Sequence, residues 1–364
     1  MLYAVLGTAV TAHELSEPLL EDLSREPTIA AKVTDLSERY RSAALKCLEA
    51  DNYLWQHDIN SLQALIVLNY GINHSHGQTW SLLGLTYHIA LSLGCHVDPS
   101  EFELDVIKSE ERRRCWAGVM MLYMLQNTSL GHLGPDPRHA SNGVRLPADV
   151  NDADLRVGEW DMPASSGVPT QMSYLLLKFR LYDVSSDICS LVLNASSPTT
   201  VLIDRMDNAI QDERRLWSNK YLEHSNAGLI PAHHQAHLNI LYGYSHQMTL
   251  LLHHQAMRYS TVDSPRYIES MGRCFDSARD LLRIHERFFN NPQFSPFGWY
   301  LRGIGSFHAF HAAVSLITVI ASHPWEGSYG DAISAVKDCA ARFDRLNGVS
   351  LICDRASPVL RFLM

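Results

Sequence analysis

The chain has 364 residues, and 19 of them are histidines. Imidazole is the side chain that most readily moves a proton or holds a metal near neutral pH. His308 and His311 are three apart with Ser315 one turn further, and His246 and His253 are seven apart. Helical spacing would put each pair on one face. No Asp or Glu joins either pair at ligand spacing and HExxH is absent, so these residues read as hydrogen-bonded interior histidines rather than a metal site. His74 and His76, in the polar run NHSHGQ, read as exposed. There is no G-x-S-x-G, P-loop or G-x-G-x-x-G, and GIGS at Gly303 to Ser306 falls in a helical stretch. Asp136, Asp149 and Asp152 lie in a turn-rich segment where carboxylates cap and turn. What remains is chemistry that needs only shape, one proton donor and exclusion of water. Tyr123, His132, His254, His308 and His311 are the candidates for lining such a pocket.

The formal net charge is -9, and the tightest basic run is Arg112, Arg113 and Arg114. That is too little positive charge to neutralise a row of phosphates, which argues against direct nucleic-acid binding. Seven single cysteines without paired spacing read as reduced, buried small hydrophobes. The opening MLYAVLGTAVTAH lacks the positive start of a signal peptide and reads as a first buried helix. No apolar stretch is read as reaching the ~20 residues that span a bilayer. The location implied is nuclear or cytoplasmic.

The elements that must position these groups are helices. Trp80, Leu83, Tyr87, Ala90 and Leu91 share a face of a helix that ends at Gly94. The next helix is expected to begin after Ser109, with Glu110 and Glu111 in its first turn. From Cys115 to Leu125 it is apolar nearly all round and therefore central. Residues 131–169 have no period and read as a long loop. Further stripes follow: Met172, Leu175 and Phe179; Ile203, Met206, Ile210 and Trp217; Leu238, Leu241, Met248 and Leu252; Met271, Phe275, Ala278 and Leu282; and Ile333, Val336, Ala340 and Phe343. Residues 290–298 and 322–330 read as turns. The expectation is an all-α fold, a large array of pairwise-packed helices forming one domain over 1–364.

TWSLLGLTYHIALSLGCHVDP (79–99), EERRRCW (110–116) and RLPADVND (145–152) together resemble the regulatory middle region of fungal zinc-cluster transcription factors. SLQALIVLNYG near residue 61, PTQMSYLLLKFRL and YSHQMTLLLHHQ are weaker echoes. Trp80, Gly84, Glu111, Arg112, Arg113, Arg114 and Trp116 carry the structural signature. Physically, three arginines beside a Trp at a helix start cannot all be buried unpaired, so some should fork onto carboxylates or helix C-terminal carbonyls of neighbouring helices. Gly84, in mid-helix, reads as a site of close helix packing.

The resemblance implies a regulator of transcription without a cofactor. Such proteins normally carry a Cys-rich zinc module, and no C-x2-C-x6-C occurs here, so the reading is a chain without one. Its partner would be a small-molecule ligand or a protein, with no membrane; a homodimer stays open. The pattern is altered at Leu122 and Tyr123, at Gly131 to Leu133, and at Leu252 to Gln255, each time with loss of an Arg. Those changes keep a second reading open: a cofactor-free isomerase, cyclase or dehydratase of secondary metabolism on the same helical scaffold.

Overall fold

The computed structural model describes residues 1–12, 19–74, 79–130, 143–164, 167–193, 198–223, 230–322 and 329–364. Among them every regular element is a helix. Contacts divide the chain into two compact units, Met1–Phe179 and Arg180–Met364.

The first unit contains α1 (Leu2–Ala9), α2 (Leu19–Leu23), α3 (Ile29–Ala50), α4 (Ile59–His74), α5 (Trp80–Ser92) and α6 (Val106–Leu130). Helix α1 packs on α3 and α4, α4 on α5 and α6, and α5 on α6. The opening segment is helical, but only Ala4 and Gly7 of α1 are buried while Leu2, Tyr3 and Val5 are exposed. In α5 the inward face is Leu83, Thr86, Ile89 and Ala90; Trp80 stands 41% exposed at the helix start. Gly94 ends the turn with φ +73, a conformation glycine adopts without strain.

Helix α6 starts earlier than expected. Asp105 Oδ1 accepts from the Lys108 N–H at 2.9 Å, so the cap lies four residues before Ser109. Glu110 and Glu111 thereby fall in the second turn. Trp116, Ala117, Val119, Met120, Met121, Leu122 and Leu125 are all buried, the central position its composition demands.

Helix α7 (Ser173–Leu193) contains the division between the units. The second unit continues with α8 (Thr200–Ser218), α9 (Ala232–Arg258), α10 (Pro265–Asn290), α11 (Gly298–Arg302), α12 (Ile304–Ser322), α13 (Gly330–Arg345) and α14 (Leu351–Leu363). Helix α9 is buried nearly all round and packs on α8, α10 and α12. Helices α8, α10 and α13 are amphipathic and set Ile203, Met206, Ile210 and Trp217, then Met271, Ala278 and Leu282, then Val336, Ala340 and Phe343 inward. Ile333 is the exception, at 42% exposure. Residues Pro292–Phe297, read as a turn, form a 3-10 helix leading into α11.

Helix α12 also corrects an expectation. At 19 residues it is long and apolar enough by length and composition to cross a membrane, and half of it is buried inside the protein. Its small residues, Gly305, Ala309, Ala312 and Ala313, let it approach its neighbours closely. A Cβ on Gly305 would lie 2.5 Å from the Tyr300 ring and 2.8 Å from the Tyr300 carbonyl oxygen.

Gly84 was expected to serve close packing, yet a Cβ there would meet nothing within 4 Å. Gly84→Ala should therefore raise stability by about 0.5–1 kcal/mol, since only helix propensity changes. Gly305→Ala should lower it by about 1–3 kcal/mol through overpacking. Urea midpoints of the two variants check both signs; a destabilised Gly84→Ala would restore the packing role.

Candidate functional site

The stretches with the strongest sequence signal meet at one carboxylate. Asp98 follows α5 and caps the short 3-10 turn Pro99–Glu101, accepting from the Ser100 N–H at 3.0 Å. Arg113, on α6, forks onto it: Nη2 donates to Oδ1 at 2.9 Å and Nε to Oδ2 at 3.3 Å. Arg145, within the 131–169 segment, adds its backbone N–H at 2.9 Å and its guanidinium at 3.2 and 3.4 Å. Asp98 and Arg113 are both buried, at 8% exposure each. Burial alone would raise the Asp98 pKa. The hydrogen bonds from Arg113, Arg145 and Ser100 outweigh it and hold the carboxyl well below the usual range.

The other two arginines of the run go elsewhere. Arg112 Nη1 donates to the Leu93 carbonyl at 2.6 Å, satisfying a C-terminal oxygen of α5. Arg114 pairs with Asp152. Glu110, 1% exposed, accepts from the Ala148 N–H at 3.1 Å and lies 3.5 Å from both Arg113 and Arg114. Glu111, the acid singled out in the signature, points to solvent.

Residues 145–152 are thus stapled on both sides. Arg145 and Ala148 reach back to Asp98 and Glu110. Asp149 accepts from Thr170 Oγ1 at 2.6 Å and Ser173 Oγ at 2.7 Å, and Asn151 Oδ1 from the Gln171 N–H at 3.1 Å. Asp149 and Asp152 therefore tie and turn the chain at the start of α7. Asp136 and His132 lie outside the described residues.

Above this hub Trp116 is buried at 3% exposure, with Tyr87 5.9 Å away and Tyr87 edge-on to Tyr123 at 5.4 Å. Leu122 is buried and Tyr123 packs its ring on Tyr87. Burial, and secondarily Tyr87, raises the Tyr123 pKa. A cavity of about 460 Å³ opens beside Arg114 and is lined also by Glu110, Glu111, Cys115 and Asp152.

The remaining histidine candidates belong to the second unit. His254 and His311 face each other at 5.3 Å between ring centres, and His311 Nδ1 is 2.8 Å from the Gln247 amide. His308 lies edge-on to Tyr244, also at 5.3 Å. His246 takes a hydrogen bond from Arg214 at 3.1 Å, and His253 sits between Ser270 at 3.1 Å and Asp207 at 3.5 Å. This last trio has the composition of a Ser-His-Asp triad. Its serine is 0% exposed, however, and a hydroxyl sealed from solvent cannot attack a substrate. Among the described residues no three His, Cys, Asp or Glu side chains stand together as metal ligands.

Asp98 and Arg145 are not singled out by the sequence, and Glu110 is read there only as an acid at a helix start. The Asp98-Pro99 step marks a turn, and Glu110 precedes Arg113 and Arg114 by three and four residues, so a local signal existed for two of the three.

Two consequences follow for stability. The folded Asp98 pKa lies below the unfolded value near ~3.9, so its stabilisation is complete above that pH and drains away below it. Asp98→Asn should cost about 3 kcal/mol at neutral pH, because buried Arg113 loses its forked carboxylate and keeps only Glu110 at 3.5 Å. His246, His285 and His311 are kept neutral, chiefly by burial and then by Arg214, Arg342 and His254 respectively, with pKa values of about 3, about 3 and about 4. The unfolded chain takes up these protons near pH ~6.5 and the folded chain does not, so stability should fall steadily as pH drops from about 6.5. Denaturant titrations across pH 4–8 check this; a flat profile through that window would contradict it.

The family described as the fungal specific transcription factor domain matches residues 6–200, just over half the chain. A transcriptional regulatory protein of Schizosaccharomyces pombe is 24% identical over 310 residues, covering 85% of this chain and 46% of that protein. A Zn(2)-C6 fungal-type transcription factor of Monascus ruber is 25% identical over 265 residues, 70% of this chain and 32% of its own length. The aurofusarin cluster transcription factor of Gibberella zeae is 23% identical over 297 residues, 80% and 43% respectively. The chain spans less than half the length of these curated relatives. No solved structure matches it. The Asp98 hub, with the arginine run and residues 145–152, lies wholly inside the matched region, and the chain belongs to the fungal specific transcription factor domain family.

Proposed function

We propose that this chain is the regulatory part of a fungal-type transcription regulator. It acts in the nucleus, controls the genes of a metabolic pathway, and responds to a small-molecule ligand or protein partner without itself gripping DNA. The observation that carries this reading is the family match over residues 6–200, which takes in every part of the charged hub. A secondary-metabolite pathway is favoured because several similar proteins are named for biosynthetic clusters, among them the aurofusarin and equisetin factors. The net charge of -9 supports an indirect route to DNA. Control would arise if a ligand or partner bound one arrangement of the helices better than another, shifting the balance between them.

The test is deletion of the gene, with transcripts and accumulated metabolites measured in the same cultures. Coordinate loss of the transcripts of several pathway genes is expected. Steady transcripts with one accumulating intermediate would overturn the regulator and favour the cofactor-free enzyme.

A further inference from the structure

The sequence pairs His311 with His308, three residues away, but the fold brings it against His254 on another helix. His254 is on α9 and His311 on α12, two helices that pack together within the second unit. Their ring centres are 5.3 Å apart at an interplanar angle of 66°. Two imidazole nitrogens at about 2.0–2.1 Å from one tetrahedral ion put the ring centres about 5 Å apart, so the spacing is that of a shared metal. Both residues are half-buried rather than sealed. His254 makes no hydrogen bond among the described residues, and its nitrogens and His311 Nε2 keep contact with solvent.

The Gln247 amide meets His311 Nδ1 with its nitrogen at 2.8 Å and its oxygen at 3.1 Å. With Nδ1–H donating to that oxygen, Nε2 carries the lone pair, and the ring is braced as outer partners brace the histidines of metal sites. Burial, and after it the neighbouring ring, keeps both imidazoles neutral: His311 at about 4 beside His254, and His254 below its usual value beside His253. A neutral ring has no proton to lose before it binds. Edge-on packing accounts for the contact between the rings, but it requires neither the Gln247 brace nor open nitrogens.

We propose that His254 and His311 together bind a borderline divalent transition-metal ion, with Zn2+ as its type, through one ring nitrogen each. Imidazole selects such ions over Mg2+ and Ca2+, which take oxygen ligands. No third His, Cys, Asp or Glu joins the pair among the described residues, so two positions of a tetrahedral ion stay open to water or an incoming ligand atom. The site is therefore exchangeable, of roughly micromolar affinity or weaker, and it staples α9 to α12 while loaded. The inference goes beyond the regulator reading and does not depend on it.

The first test uses the unaltered full chain, purified without a histidine tag. Diethyl pyrocarbonate, which acylates free imidazole nitrogens, is applied with and without Zn2+ in an excess of Mg2+. Zn2+ should protect His254 and His311, and unchanged modification of these two would overturn the proposal. Variants then place the ion. His254→Gln should raise the Zn2+ concentration that protects His311 about tenfold or more, and His311→Gln should do the same for His254. His233→Gln, in the histidine-rich first turn of α9, should leave both protected. His254→Cys keeps a metal ligand, so with Co2+ it should gain a thiolate-to-cobalt charge-transfer band absent from the unaltered chain. Equal protection in the two Gln variants, loss of protection in His233→Gln, or a missing band would overturn the proposal. Where a thermal melt shows that a variant does not fold, the protection result on the unaltered chain decides alone.

Discussion

A carboxylate taken out of water costs several kcal/mol unless its lone pairs are filled and its charge is met. Asp98 is in that position, and its donors come from three separate pieces of chain. Ser100 supplies the turn after α5, Arg113 comes from α6, and Arg145 from the segment that follows α6. None of the three could be moved without exposing a buried charge to an apolar surround. The long connection therefore has fixed ends: it leaves from α6 and returns to the Asp98 and Glu110 carboxylates on the other side. Glu110 extends the same logic to Ala148, and the acids that follow hand the chain on to the start of α7.

The second unit solves the same problem with histidine. His246, His253 and His285 are buried on helices whose other faces are apolar, and each ring nitrogen that meets a partner meets Arg, Ser or Asp. Keeping the His246 and His285 rings neutral avoids the desolvation of an imidazolium. The abundance of histidine, which first suggested proton chemistry, is in this unit largely a means of pairing arginines and hydroxyls in the interior. The facing pair His254 and His311 is the exception in kind, since it brings two rings together rather than a ring and a charge.

The helices themselves were legible in the sequence because each has a period. Ile203, Met206, Ile210 and Trp217 are all buried as their spacing requires, and so is the apolar run of α6. The hub was legible only in part. That the arginines must find carboxylates and helix-end oxygens follows from their burial beside Trp116. Which carboxylates they find does not, because Arg113 and Arg145 lie 15 and 47 residues from Asp98 and no local period links them. The choice between Glu110 and Glu111 turned on one detail. Neighbouring residues on a helix face ~100° apart, so with Glu110 turned onto the Ala148 N–H, Glu111 is left exposed. Trp80 and Gly84 failed for the opposite reason: aromatic bulk and a missing side chain suggest packing, but a helix start and an open face need none.

The central claim is that Asp98 and Arg113 act as one unit that holds the ends of the long connection. A double-mutant cycle with Asp98→Asn, Arg113→Met and the pair, read as unfolding free energies at pH 7, tests it most directly. The account predicts that the double variant is more stable than the sum of the single losses implies by about 2 kcal/mol or more, because removing both charges leaves neither stranded. Additivity within about 0.5 kcal/mol would mean that the two residues stabilise the unit independently, and the hub would lose its organising role.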